Sequence, residues 1–210
     1  MKKKIWPLGK WKSTRVAIYV KHMIGEIYLP TIKQYLPIFD NSSDQFLQVG
    51  ASWLATSSPI SGGSGNHSVV AGHSGIPSAT LFNDVPQLKK GALIIYKVAG
   101  NYLPYKVVKI RKVTADDVTA IRHEGDKDQT TLVTCVPIGI NSHRLLVTGE
   151  RVPFTPSMLK AVKAIQETKK TQHLWLFIGL GLLILLIFIR IFFAIKKLRR
   201  QLRVVPEVEA

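Results

Sequence analysis

Cys135 closes an apolar, β-branched run, Thr131-Leu132-Val133-Thr134-Cys135, and Arg144 follows nine residues later within Asn141-Ser142-His143-Arg144-Leu145-Leu146-Val147. The chain has one cysteine, so it forms no internal disulfide. Far upstream, Val69-Val70-Ala71-Gly72-His73-Ser74-Gly75 sets a histidine just past a second β-prone run. A thiol at a strand end, with an imidazole and a guanidinium available, suits acyl transfer through a thioester. A thiolate must attack a peptide carbonyl, and a free thiol with a pKa near ~8.5 is mostly protonated at neutral pH. An imidazole titrates where a departing amine needs a proton. A guanidinium stays charged and can hold a tetrahedral oxyanion. The residues alone leave the partners open. His143 is nearest to Cys135, while His67 and His123 lie in polar stretches that predict solvated rings. Arg151 is the rival arginine and is read as lying past the end of its strand. The plain alternatives are a small buried cysteine, a turn-capping histidine and a surface-paired arginine.

The elements that must position these groups read as mainly β. Strands are predicted at Ile24–Leu29, Ser68–Ala71, Leu93–Val98, Tyr102–Val113, Thr130–Cys135 and Arg144–Glu150. Ala99-Gly100-Asn101 reads as a hairpin turn, and Asp44–Gly50 and Thr80–Lys90 as short helices. Several short strands with turn signals imply a small barrel or sandwich. Alternation puts Thr131, Val133 and Cys135 on one face of their strand, and Arg144, Leu146 and Thr148 on one face of the next. If the two strands are neighbours, Cys135 and Arg144 sit together at the mouth of the loop Val136–His143, and His143 projects from the opposite face.

The chain of 210 residues carries a formal charge of +16, concentrated at its ends. Lys2, Lys3, Lys4, Lys10, Lys12, Arg15 and Lys21 lie at one end, and Lys196, Lys197, Arg199, Arg200 and Arg203 at the other. Basic ends around a mixed middle fit an anionic membrane surface and argue against a nucleic-acid partner. Leu174 to Ile195 is apolar apart from Arg190 and contains no proline or acid. At ~1.5 Å per residue it spans about 33 Å, enough for a bilayer core of ~30 Å. Arg190 can snorkel to the headgroups. No zinc-ligand spacing or nucleotide-binding loop occurs, and Gly62-Gly63-Ser64-Gly65 reads as a flexible loop.

TLVTC, GINSHRLLVTGER and AGHSG together resemble a sortase, a cysteine transpeptidase of Gram-positive cell surfaces. From Ile24 to Val152 the likeness is to the pilus-assembling class C branch, carried by IGEIYLP, YLPIF, HSVVAGHSGIPSATLF and TLVTCVPIGINSHRLLVTGERV. The resemblance implies an eight-stranded sortase-type β-barrel with short helices and one C-terminal transmembrane helix. It implies Cys135 as nucleophile, His73 as acid and base, and Arg144 as holder of the oxyanion or substrate. His143 matches a non-catalytic position. Thr134, Val136, Pro137 and Ile138 are the expected substrate-binding residues, and Gly72 and Thr134 shape the site. The implied partners are LPXTG-type surface or pilin proteins, an amine acceptor (a pilin Lys or a cell-wall precursor) and the membrane; no metal or organic cofactor is implied. The expected layout is a basic segment 1–23, a catalytic domain 24–153, a basic helical connector 154–173, the span 174–195 and a basic tail 196–210. The resemblance puts the catalytic domain outside the cell membrane and the C-terminus in the cytoplasm. The alternatives are a housekeeping-type anchoring sortase and an inactive membrane-tethered remnant. The familiar pilus-sortase loop runs closer to TCTPYGINTHR, so Ile138 replaces an aromatic, and Ser74 stands where an Arg often follows the histidine. The class C lid carries an Asp-Pro-aromatic motif, whereas no Asp precedes Asp40 here. The apolar run Val16–Val20 is also short for a signal-peptide core, so two readings stand: a lidless pilus sortase with an open site, or a sequence that misses an upstream segment or comes from a decayed gene.

Overall fold

A computed structural model describes residues 14–77, 79–117 and 125–202. His123 lies outside the described residues. The element order is α1 (Thr14–His22), β1 (Met23–Leu29), β2 (Gln34–Phe39), α2 (Asp44–Leu47), β3 (Ala51–Trp53), β4 (His67–Ala71), β5 (Leu93–Val98), β6 (Asn101–Thr114), β7 (Gln129–Val136), β8 (His143–Arg151) and α3 (Pro156–Leu202). The strands close into a barrel in the order β1-β2-β3-β4-β7-β8-β6-β5. The pairs β2·β3 and β4·β7 are parallel, and the others are antiparallel.

The hairpin between β5 and β6 turns on two residues, Ala99 (φ 49°) and Gly100 (φ 87°), with Val98 opposite Asn101. Positive φ at both central residues matches the right-handed twist of the flanking strands. Inward-facing residues fill the barrel. Ile27, Leu29, Ile38, Val70, Phe82, Ile94, Tyr96, Tyr105, Leu132 and Val147 are all buried. Burial raises the phenol pKa of Tyr96 and Tyr105, so both stay neutral donors. Tyr96 bonds Thr130 and Tyr105 donates to Asp128. A second apolar cluster joins Tyr28 and Ile95 to Val162 and Ile165 of the first turns of α3.

Several expectations change. β2 and β3 were not anticipated. Pro37 lies in mid-strand, where a missing N–H argues against a ladder. It is tolerated because β3 joins β2 only at Ile38 and Phe39. The expected helix Thr80–Lys90 is reduced to a single 3₁₀ turn, Val85–Gln87. Pro86 cannot donate there, and Phe82 N–H goes to His73 O instead of a helical carbonyl. α1 was also unforeseen. Tyr19 packs on Phe39 and Phe46, with ring centroids 5.9 and 5.4 Å apart, and His22 Nδ1 lies 2.7 Å from Asp40 Oδ1.

The chain falls into two units divided after Ile165. α3 continues without a break through the predicted span. Its window Phe177–Lys196 has a mean hydropathy of 2.8 and no buried share, and it is the one candidate membrane span among the described residues.

Candidate active site

β7 lies between β4 and β8, and this order assembles the site. The β7–β8 register sets Cys135 opposite Arg144 and Val136 opposite His143. Cys135 and Arg144 therefore share a face, and His143 belongs to the other, as the alternation predicts. Thr130, Leu132 and Thr134 turn into the core, whereas Cys135 is half-buried and its thiol is free.

On the other flank, β4 runs parallel to β7 with Ala71 beside Val133. β4 ends at Ala71, and the chain goes on beside β7 through Gly72 and Ser74, with His73 between them. The extension is laced by hydrogen bonds. Gly72 N–H donates to Val133 O at 3.0 Å, Thr134 Oγ1 to Gly72 O at 2.9 Å, and Ser74 Oγ to Cys135 O at 2.6 Å. The backbone of Cys135 thus lies between the segment that carries His73, just past β4, and Arg144 on β8.

Arg144 Nη1 donates to Asn141 O at 2.9 Å and His143 O at 3.2 Å. These bonds fix the guanidinium against the loop that follows the thiol. His143 Nδ1 bonds Ser142 Oγ at 2.8 Å. His73 Nε2 lies 3.0 Å from Asp44 Oδ1, a contact nothing in the sequence signalled beyond an acid at the start of a predicted helix.

The expected substrate-binding residues divide in two. Thr134 is 2% exposed and bonded to Gly72. Val136 is half-buried, while Pro137 and Ile138 are exposed on the β7–β8 loop. Gly75 has φ +80°, which favours glycine, and a Cβ there would meet Ile138 Cγ2 at 3.2 Å. The loop after His73 and the loop after Cys135 therefore approach each other. Beside them Gly75, Ile76, Pro77, Ala79, Thr80 and Asn83 line a cavity of about 360 Å³.

The rival residues have other partners. His67 is a correction: it is buried in β4, 8% exposed, with Nε2 2.7 Å from Thr131 Oγ1. β4 begins one residue earlier than predicted and pairs His67 with Gln129, which draws the ring into the sheet. Arg151 is a second correction, being the last residue of β8 rather than past it. Its Nη1 donates to Tyr105 Oη at 3.2 Å and lies 3.6 Å from Asp128 Oδ2. At ~3.4 Å per residue it is roughly 24 Å along the strand from Arg144. The glycine-rich loop 62–65 is tied down by Gly63 N–H to Asp128 Oδ2 at 2.9 Å and Ser64 Oγ to Asp126 O at 3.2 Å.

The sortase domain family matches residues 27–152, more than half of the chain. Sortase A of Bacillus anthracis is 34% identical over 132 residues, 63% of this chain and 61% of that protein. Among solved structures, sortase C2 of Group B Streptococcus pilus island 1 matches with a TM-score of 0.61 and 40% identity, covering 63% of this chain and 75% of that one. Sortase C of Streptococcus pneumoniae matches with a TM-score of 0.62 and 38% identity, covering 64% and 69%. The match spans about three fifths of the length of the curated relatives.

Proposed function

This chain belongs to the sortase family, and on that premise we propose that it is a membrane-anchored cysteine transpeptidase acting on LPXTG-like sorting signals. Cys135 is the nucleophile, His73 the acid and base, and Arg144 the oxyanion or substrate holder. The Cys135 thiolate attacks the carbonyl of the scissile bond. His73 protonates the departing amine as the C–N bond breaks, leaving a thioacyl enzyme. It then takes a proton from the incoming amine, which resolves the thioester. Val136, Pro137 and Ile138 border the substrate, and Thr134 acts from the core by holding Gly72, next to His73. The observation that carries this reading is the cross-strand pairing of Cys135 with Arg144, with the segment that carries His73 bonded to β7 on the opposite flank.

Pilin Lys is the proposed acceptor, and pilus polymerisation the process. Support comes from the structural likeness to sortases C at 38% and 40% identity. The likeness to sortase A proteins favours a second reading, in which a cell-wall precursor supplies the amine. The helix Phe177–Lys196 supports a single C-terminal span. In this reading the catalytic domain is extracellular and the basic tail cytoplasmic.

Intact-mass analysis of the full chain in detergent, incubated with an LPXTG-type peptide and no acceptor amine, tests the reaction. An adduct of the N-terminal peptide half is expected in wild type and not in Cys135→Ala. No adduct across varied peptides, with Cys135 still alkylatable, would overturn it. Adding a Lys-bearing pilin domain or a cell-wall peptide then separates the two acceptors.

A further inference from the structure

We propose that Asp44 is a positioning residue for the acyl transfer, holding His73 by Nε2–H so that Nδ1 is the nitrogen that exchanges the proton. The proposal rests on the reaction assigned above. Asp44 Oδ1 lies 3.0 Å from His73 Nε2. An ionised carboxylate only accepts hydrogen bonds, so Nε2 carries the hydrogen. In the neutral ring Nδ1 is then unprotonated and free to act as base.

The carboxylate is itself braced. Its second oxygen, Oδ2, accepts from Gln48 Nε2 at 2.6 Å, four residues on and just past the end of α2. With its oxygens divided between Gln48 and His73, the group cannot rotate without losing one bond. α2 is anchored by Phe46, 3% exposed, whose ring meets those of Tyr19, His22 and Phe39 at centroid distances of 5.4, 5.1 and 5.1 Å. Gly50, just beyond α2, lies so close to β2 that a Cβ would meet Pro37 O at 2.6 Å. A short helix seated this firmly presents Asp44 at a fixed place. His73 thus has the Asp44 carboxylate at Nε2, while its neighbour Ser74 donates to the backbone of Cys135 on β7.

The size of the effect follows from exposure. Asp44 is 71% exposed and His73 31%. Water and salt screen such a pair, so its contribution is modest. We expect Asp44→Ala to slow thioacylation about two- to fivefold, far less than loss of a buried orienting carboxylate. Because Asp44 acts through the ring it bonds, the loss should fall on kcat with the peptide KM unchanged.

Histidine-labelled ¹⁵N NMR of the full chain in detergent at pH ~8, where free imidazole with a pKa near ~6.5 is neutral, reads the tautomer directly. His73→Gln assigns the signal. Wild type should show protonated Nε2 and bare Nδ1. Asp44→Ala should show a mixture of tautomers, and Asp44→Asn, which keeps the shape but offers one oxygen to two donors, should fall between. A wild-type ring protonated at Nδ1, or an identical tautomer in wild type and Asp44→Ala, would overturn the proposal. Failure of wild type to form the thioacyl adduct would instead overturn the reaction, while the tautomer comparison still decides whether Asp44 holds the ring.

Discussion

Gly72→Ala puts the packing behind His73 to a quantitative test. A Cβ at Gly72 would meet three ring atoms of Phe82, Cδ2 at 2.5 Å, Cγ at 2.6 Å and Cε2 at 2.8 Å. Ordinary contact begins at 3.4 Å, so the ring or the backbone must retreat by about 0.9 Å. The backbone is held to β7 twice, by Gly72 N–H to Val133 O and by Thr134 Oγ1 to Gly72 O. The ring is fully buried in the barrel core. Neither side yields freely, which places the cost in the upper part of the overpacking range, about 2–3 kcal/mol. For a chain of this size that corresponds to a Tm lower by about 4–12 °C. Phe82 N–H also donates to His73 O at 2.9 Å, so a displaced Phe82 carries the histidine with it. A shift approaching 1 Å at a reacting group costs up to about 10²-fold, so acylation should fall between about tenfold and 10²-fold. Thermal unfolding and intact-mass acylation kinetics of the full chain in detergent measure both effects. Phe82→Leu in the Gly72→Ala background should relieve the clash, making the double variant about 1–2 kcal/mol more stable than the two single losses predict. Wild-type stability for Gly72→Ala, or simple additivity in the double variant, would refute the reasoning.

Arg144→Ala should lower kcat by about 10²–10³ as an oxyanion donor is lost, whereas His143→Ala, on the opposite face, should cost far less; equal losses at His143 and His73 in acylation kinetics would sink the assignment of the base. Ser74→Ala removes the bond from Oγ to Cys135 O and should destabilise by about 1 kcal/mol, read by denaturant unfolding. Thr134→Val keeps the shape but removes the donor to Gly72 O, and should cost about 1–2 kcal/mol together with part of the acylation rate. Burial raises the phenol pKa of Tyr35, Tyr96 and Tyr105 above the ordinary value. The unfolded chain therefore ionises first, near pH ~10, while the folded chain keeps its protons. Their contribution to stability is fully present below pH ~10 and is lost as pH rises toward the folded values. Tm measured from pH 8 to 11 should fall from about pH 10 upward, and a flat profile would contradict it.

The sequence by itself showed which residues could carry the proposed chemistry and how two of them are placed. Strict alternation in β7 and β8, with a short loop between them, put Cys135 and Arg144 on one face before any partner strand was known, and the register agrees. The hairpin at Ala99-Gly100 and the long apolar run of α3 were legible for a similar reason: turn chemistry and hydropathy act over a few residues. What lay beyond the sequence is non-local. β3 is three residues long, too short to show a period, and β2 is masked by Pro37. His67 sits in a polar stretch yet is buried, because its surroundings come from β7. The approach of the His73 segment to Cys135 depends on β4 pairing in parallel with β7, a contact across more than 60 residues that no local pattern encodes. Asp44 met His73, and Phe82 came under Gly72, for the same reason. The tertiary fold decided which side chains share a wall, because closure of a barrel sets neighbours by strand order and not by distance along the chain.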